Sequence, residues 1–273
     1  MKKYLSILAI SFLLFSCEEN TEDVTSNEDI SEDTETQTSQ NSGEEGSEEE
    51  TTENSNILPI KVVTTGNGYT DTINYQYSGN KLIKVVYSSE EYIDYLYTND
   101  QLTNINYYGV FESLETLTYD SQGRVSSYEN DLTDEDFNSI GNYYRTFNDD
   151  NSLISEKVGE DVEFSSFMYF DNGNVTKIES DGDYKHEFTS FDNKNAPFKN
   201  VFAREVLVTI DSENNFAYQF NLNNILSETY TDFFFETPTS ETITYSITYT
   251  DDDFPRTIVS SEGYTYTYTY NND

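Results

Sequence analysis

Cysteine, histidine, proline and tryptophan are scarce or absent in this chain. The 273 residues contain one cysteine, one histidine, four prolines and no tryptophan. A single cysteine excludes an intramolecular disulfide. A metal site or catalytic triad that uses histidine would depend on His186 alone, and its strand-like surroundings favour an ordinary sheet-surface histidine. Since GxSxG, HExxH and phosphate-binding glycine loops are also missing, the sequence predicts no enzyme, no cofactor and no metal.

Positive charge is the next shortage. Lys and Arg number 14 against 52 Asp and Glu, and the formal net charge is −38. Such a surface repels nucleic acid, so no nucleic-acid partner is expected. The Asp clusters at 149–150, 181–183 and 251–253 have the ligand type that calcium prefers but lack the EF-hand spacing. They are interpreted as turn residues, with weak calcium binding as the alternative.

Long apolar runs are missing, apart from one near the N-terminus. Met1, Lys2 and Lys3 precede an apolar stretch at 4–15, which is too short to span a bilayer and fits a secretory signal. The stretch ends in LFSC at 14–17, which looks like a lipobox. We therefore predict a lipoprotein signal peptide at 1–16 and a diacylglyceryl lipid on Cys17, which anchors the chain to the membrane. The alternative is an ordinary signal peptide with a chance cysteine.

The segment after Cys17 has almost no apolar residues and no Lys or Arg up to residue 56. Low hydrophobicity and like-charge repulsion predict a disordered acidic tether over 17–56. Glu18 and Glu19 resemble the acidic signal that exports Bacteroidota-type lipoproteins to the outer leaflet. The predicted location is therefore the outer membrane, with the domain displayed at the cell surface. The alternative is a tether that faces the periplasm.

Aromatic residues are abundant, and one short phrase containing them recurs from residue 77 onward. An aromatic anchor is followed by a polar turn and then by an apolar residue that restarts the chain five or six positions later. Strict alternation precedes many anchors, as in Ile73, Tyr75 and Tyr77 against Asn74 and Gln76. The anchors are Tyr77, Tyr97, Tyr119, Phe147, Phe170, Phe191, Phe220, Tyr249 and Tyr270.

Period-two alternation of β-branched and aromatic residues is typical of strands, and Asp, Asn, Ser and Gly reverse the chain between them. The repeat of about 24 residues is long enough for two strands and two connections. We predict an all-β domain over 57–273: an antiparallel meander of β-hairpins that forms a curled sheet or a partly closed barrel. One short helical turn is expected within 131–144, and nowhere else in the domain.

The clearest copy of the phrase is YDSQGRV, which contains Tyr119, Asp120, Gly123, Arg124 and Val125. It resembles the core of the YD repeat of RHS-type proteins. The copies at Tyr77 and Phe170 keep the glycine but lack the arginine. The chain is thus similar to a diverged YD/RHS-like lipoprotein of the Bacteroidota type, a group dominated by domains of unknown function. RHS proteins enclose a toxin, whereas this chain has no room for a separate toxin domain.

These features predict a lipid-anchored, non-catalytic envelope protein that acts as a structural or binding module at the cell surface. The row Tyr264, Tyr266 and Tyr268 is a candidate for stacking on a glycan, although cross-strand packing explains the same alternation. The alternatives are a surface lipoprotein that binds or processes glycans and an immunity or encapsulation partner related to RHS systems. The identity of a glycan or protein partner stays open.

Overall fold

The computed structural model describes residues 56–109, 112–133, 138–159, 166–180, 182–210, 217–233 and 237–273. All of them belong to the second of the two units into which the chain divides, Glu53–Asp273. The predicted signal peptide at 1–16 and nearly all of the predicted tether at 17–56 lie outside the described residues.

Sixteen antiparallel strands follow one another around a closed barrel, in which β1 pairs with β16. The predicted all-β meander is confirmed, and the sheet closes completely. The strands are β1 Pro59–Gly66, β2 Tyr69–Ser78, β3 Lys81–Val86, β4 Tyr92–Thr98, β5 Gln101–Tyr108, β6 Glu112–Tyr119, β7 Val125–Thr133, β8 Asn138–Phe147, β9 Leu153–Val158, β10 Ser166–Asp171, β11 Asn174–Ser180, β12 Tyr184–Phe191, β13 Ile225–Asp232, β14 Thr239–Tyr249, β15 Pro255–Ser260 and β16 Thr265–Tyr270.

Alternation along each strand separates an apolar inner face from a polar outer face. In β2, Ile73 and Tyr75 are buried and join the central core, whereas Asn74 and Gln76 are exposed. In β14 the isoleucines and tyrosines are half-buried and the intervening Thr and Ser are exposed. Because successive strand residues point to opposite faces, one register places most of the large apolar side chains of a strand inside the barrel.

The repeated phrase encodes a turn together with a β-bulge. At Tyr77, Tyr97 and Tyr119 the register shifts by one residue just before the anchor, and the anchor then pairs with the residue that restarts the chain. Tyr97, for example, lies opposite Leu102, which is fully buried. The bulge absorbs one extra residue, which lets both partners face the core. The edge of the barrel that carries these turns is called the anchor rim below.

The tyrosine anchors also connect neighbouring hairpins around the anchor rim. The Tyr119 hydroxyl donates a hydrogen bond to the Leu102 carbonyl at 2.6 Å, and the Tyr77 hydroxyl donates to the Pro59 carbonyl at 2.9 Å. The Tyr270 hydroxyl donates to the Pro255 carbonyl in the same way. A tyrosine combines a large apolar ring with a polar tip, so one side chain can fill the core and satisfy a backbone acceptor of the preceding hairpin.

Two copies of the phrase are not hairpins, and here the prediction is wrong. Phe191 pairs directly with Ile225, so the residues between them form one long insertion, and Phe220 lies in a short 3-10 helix. The described part of the insertion, residues 192–210 and 217–224, is called the lid below. It also contains the one α-helix among the described residues, α1 Arg204–Ile210. Its apolar side chains pack into the barrel core, which a surface turn does not do.

The lid covers the anchor rim because it is bonded to turns on several sides of it. Phe202 N donates to the Asn80 carbonyl, and Asn195 N donates to the Asp253 carbonyl. The fully buried Asn221 accepts a hydrogen bond from Val175 N through its side chain. Backbone groups of the lid and of the turns thereby satisfy one another, as buried backbone groups must.

The helical turn expected within 131–144 does not appear in the described residues of that stretch, and residues 134–137 lie outside them. The expectation that the domain has no other helix is wrong, since the lid contains α1. The described part of that stretch belongs to β7 and β8, which pair in register from Ser127 to Thr133. Alternating side chains and the neighbouring strands override the weak helical composition there. Among the described residues, no helix is long and apolar enough to cross a membrane.

Candidate functional site

The residues predicted to direct and anchor the chain cannot be placed, since Cys17, Glu18 and Glu19 lie outside the described residues. The lipid anchor and the export signal therefore stay predictions.

The predicted repeat core at 119–125 forms one tight turn of the anchor rim. One oxygen of the Asp120 carboxylate accepts the backbone N–H groups of Gln122 and Arg124, and the other accepts Arg124 Nε at 2.8 Å. These hydrogen bonds, led by the one from the Arg124 backbone, hold the pKa of Asp120 below its usual range. Gly123 has a φ of +77°, which glycine adopts without strain. The Asp and Arg of the phrase therefore fix the turn.

The tyrosines proposed to stack on a ligand belong to the strand that closes the barrel. Tyr268 is buried and Tyr266 is half-buried, and both pack in the central core. Tyr264 lies just before β16, at the end of the barrel opposite the anchor rim, where its ring centroid is 6.0 Å from that of Tyr69. The row is thus distributed between the core and one rim, and stacking on a glycan stays a prediction.

His186 lies on the inner face of β12 rather than at the sheet surface, so that expectation is wrong. Its Nε2 is 3.1 Å from a Glu228 carboxylate oxygen, and its ring packs on Phe188. Tyr245 donates a hydrogen bond to the other oxygen of Glu228 at 2.6 Å. The strand pattern around His186 gave no sign of its partner, because Glu228 is on the next strand but 42 residues later, beyond the lid.

The acidic clusters serve as turn residues where they are described. Asp150 accepts a backbone hydrogen bond from Ser152, and Asp253 pairs with Lys194 of the lid at 2.6 Å. Asp181 lies outside the described residues. Within the described part of the chain, no group of three or more His, Cys, Asp or Glu is placed to hold a metal ion.

A cavity of about 470 Å³ lies between the lid helix and the wall, at the anchor rim. The turns after Tyr119, Phe147 and Phe170 form one side of it, and α1 forms the other. Its lining residues are Gly123, Arg124, Val125, Arg145, Phe147, Asp150, Asn151, Ser152, Ile154, Phe170, Asp171, Asn172, Gly173, Arg204, Glu205, Val206, Val208 and Thr209.

Three of the four arginines in the chain line this cavity, although the protein is strongly acidic. Arg145 comes from β8 and Arg204 from the first position of α1, and their side chains are 2% and 7% exposed. Arg124 comes from the YDSQGRV turn, and its guanidinium lies 4.2 Å above the Phe147 ring. Guanidinium groups are suited to planar anions because their N–H groups form a rigid fork.

Each arginine is held in place by several hydrogen bonds. Arg145 donates to the Glu156 carboxylate and, across the cavity, to the side-chain and backbone oxygens of Thr209 in the lid. Arg204 donates to the Gly173 and Phe220 carbonyls. These bonds fix the guanidinium groups before any ligand arrives, so little rotamer freedom remains to be lost on binding.

In the sequence, Arg124 stands out only as part of a turn, and nothing distinguishes Arg145 or Arg204 as site residues. The one available signal was the scarcity of arginine. The spacing of the three arginines in the sequence does not indicate that they lie together. Arg204 belongs to the lid, and the repeat does not encode how the lid folds back onto the anchor rim.

Comparison with known proteins identifies no family. No family model matches the chain, and no curated protein matches it. Similar solved structures include a porin-like protein from Bacteroides uniformis ATCC 8492, which is 15% identical with a TM-score of 0.49 over 78% of this chain and 98% of that one. A porin-like protein from Bacteroides vulgatus ATCC 8482 is 10% identical, with a TM-score of 0.35 over 79% and 99%. At these TM-scores the function has to be argued from this chain's own side chains.

Proposed function

We propose that the chain is a lipid-anchored, non-catalytic binding module of the cell envelope, with the cavity under the lid as its ligand site. The observation that carries the proposal is the cavity itself. Its volume of about 470 Å³ lies within the range of small-molecule sites, and fixed polar groups from lid and wall converge on it between apolar side chains.

A lipid on Cys17 accounts for membrane attachment better than insertion of the strands. Strands that cross a bilayer present a continuous apolar band to the lipid. Here the outward side chains of β14 and β16 are Thr and Ser, and Thr229 bonds Thr242 on the outside of the wall. Among the side chains that the structure describes, large exposed apolar ones are scattered, at most one to a strand. A polar wall of this kind belongs in water, at the end of a tether.

Binding without catalysis is favoured by the chemistry of the cavity. A hydroxyl nucleophile needs a neighbouring base. His186 is not among the lining residues, and the Thr209 hydroxyl donates to the Val206 carbonyl. The Ser152 hydroxyl bonds the Asp150 carboxylate, and this bond lowers the pKa of Asp150, which makes that carboxylate a weak base. The lining groups can recognise a charged ligand, but none is arranged to attack it.

A variant that fills the cavity tests the ligand site. Val206 lines the cavity and is half-buried, so Val206→Trp should occupy the space without changing charge. The probes are L-leucine, an alanyl-leucine dipeptide, glucose and decanoate, added to the full chain in detergent, with the Tm as readout. We expect at least one probe to raise the Tm of the wild type and not of Val206→Trp. Val259→Trp, at an exposed valine of β15, is the matched control. If no probe binds, or if binding survives in Val206→Trp, the cavity is not the site.

A second experiment tests the anchor and the location. The wild type should fractionate with membranes and carry the mass of a lipid, whereas Cys17→Ala should do neither. On whole cells, protease should remove the barrel from the surface, and Glu18→Ala combined with Glu19→Ala should reduce that display. A wild-type barrel that resists protease until the cells are lysed would place the module in the periplasm.

A further inference from the structure

We propose that the cavity under the lid binds a zwitterionic ligand with an apolar body, namely an apolar amino acid or short peptide, whose carboxylate lies against Arg204. The inference rests on the proposed function, in which this cavity is the ligand site. It goes further because it assigns the chemical class of the ligand, its orientation and the residues that recognise its two ends.

The charges that line the cavity are arranged by depth. The arginine side chains are the deeper groups, with Arg145 and Arg204 almost fully buried. Two carboxylates are shallower: Asp150 lies in the turn after β8 and Asp171 at the end of β10, and both residues are exposed. A ligand therefore meets negative charge at the mouth and positive charge at the floor. A molecule with an anionic end and a cationic end complements this order.

Arg204 is the arginine best placed to receive a ligand carboxylate. Arg145 is paired with Glu156 and Arg124 with Asp120, and both of these carboxylates are at most 23% exposed. Arg204 instead pairs with Glu205, whose carboxylate is in water and which contacts Nη2 at 2.9 Å. Because the displaced Glu205 carboxylate stays in water, a ligand carboxylate can take its place on Arg204 at small cost. Glu205 occupies the position that the proposal gives to the ligand's own carboxylate.

The walls between the two charged layers are apolar. Val125, Ile154, Val206 and Val208 line the cavity together with the rings of Phe147 and Phe170. Such walls suit a branched aliphatic side chain and offer little to the hydroxyls of a sugar. The carboxylates at the mouth repel a fatty acid, whose only charge is negative. An apolar amino acid or short peptide meets all three requirements.

The test compares three forms of one probe by calorimetry on the full chain in detergent. Alanyl-leucine carries both charges, its N-acetyl form lacks the ammonium, and its C-terminal amide lacks the carboxylate. We expect the free dipeptide to bind, and each blocked form to bind at least about tenfold more weakly, because a charge-assisted hydrogen bond is lost at one end. Equal affinity for all three forms would overturn the proposal.

Variants test the orientation. Glu205→Gln removes the competitor from Arg204, so it should tighten binding of the dipeptide by about threefold or more. Asp171→Asn, at the mouth, should weaken it. Glu262→Gln, at an exposed glutamate between β15 and β16, is the matched control for both and should change nothing. Arg124→Gln should weaken binding, with Arg256→Gln, the arginine outside the cavity, as its control. If Glu205→Gln binds the dipeptide with unchanged or weaker affinity, the carboxylate of the ligand does not lie against Arg204.

The failure of this proposal can be told apart from failure of the proposed function. If glucose or decanoate binds and Val206→Trp abolishes that binding, the cavity is a ligand site and the zwitterionic class is wrong. If the dipeptide binds equally well to the wild type and Val206→Trp, both the site and the class are wrong.

Discussion

The two rims of the barrel join the same strands but are built differently. At the anchor rim, bulged turns are connected by tyrosine hydroxyls, and the lid adds Phe198, which is 1% exposed between the rings of Tyr75 and Phe220. At the opposite rim, the turn between β1 and β2 is held by a contact of Asn67 with Tyr264, and Tyr69 is half exposed. The anchor rim therefore carries more of the stability, and the candidate ligand site is built on that rigid end.

The largest expected effect is at the aromatic centre of the lid. Phe198→Ala should lower the free energy of unfolding by about 4 kcal/mol, because a fully buried ring leaves a cavity that its neighbours cannot fill. Tyr69→Ala, which removes an aromatic ring of similar size at the opposite rim, should cost less than about 1 kcal/mol. Denaturant unfolding of both variants measures the difference. Equal costs would mean that the lid does not stabilise the barrel.

The second effect concerns the polar attachment of the lid. The Asp192 carboxylate accepts hydrogen bonds from the backbone N–H of Lys194, from the backbone and side chain of Asn224, and from the Tyr249 hydroxyl. Asp192→Ala leaves these donors without their acceptor and should cost about 3 kcal/mol. Its control is Asp71→Ala, since Asp71 is an exposed residue of β2 that accepts only the N–H of the adjacent Thr72 among the described contacts.

Hydrogen exchange should show where the loss at Asp192 is felt. We expect faster exchange in the lid and in the turns that it contacts, with little change at the β1–β2 turn. Uniform loss of protection would instead show that lid and barrel unfold as one unit, and that the two rims do not differ in local stability.

The strands of the barrel wall could be predicted from the sequence, because alternation between adjacent residues separates the two faces of a strand. Alternation places Ile73 and Tyr75 on one face, spacing identifies Leu82 and Leu102 as residues that restart a strand, and all four are buried. Closure of the barrel could not be predicted, because it depends on the pairing of β1 with β16, about 200 residues apart. Period-two alternation is the same in an open sheet and in a closed one.

The lid and the cavity could not be predicted because they violate the repeat. FNLNNI at 220–225 has the composition of a turn, but its asparagines bond residues far along the chain: Asn221 accepts from Val175 N in β11, and the Asn223 side chain donates to the Lys194 carbonyl at the start of the lid. Composition identifies side chains that can form hydrogen bonds with backbone groups. It does not identify which backbone groups they bond. Arg145 and Arg204 line the same cavity only because the lid folds back onto the anchor rim. The candidate site could therefore not be predicted from the order of residues in the sequence.

A smaller effect is expected where the anchor rim depends on backbone geometry alone. At Gly123 a Cβ atom would contact nothing within 4 Å, so the cost of a side chain is the strain of a φ of +77°. Gly123→Ala should therefore cost about 1 kcal/mol. Gly123→Asn should cost less, because Asn151 already adopts a positive φ at the same position of the turn after Phe147. Thermal unfolding measures both. An equal loss in the two variants would contradict the strain explanation.

The smallest effect should appear as a dependence on pH at the same turn. The pKa of Asp120 is lowered, chiefly by the hydrogen bond from the Arg124 backbone, so the folded protein favours the ionised carboxylate. A group whose folded pKa is depressed stabilises the protein above its unfolded pKa, and this contribution is lost as the pH falls through the folded pKa. Asp120→Asn should therefore lower the Tm at pH 7, and its difference from the wild type should shrink as the pH falls below about 4.

The control is Asp71→Asn, at the opposite rim. It removes a carboxylate that accepts only the N–H of the adjacent Thr72 among the described contacts, and it should change the Tm less. A difference for Asp120→Asn that is constant from pH 7 to pH 3 would show that its charge does not stabilise the turn.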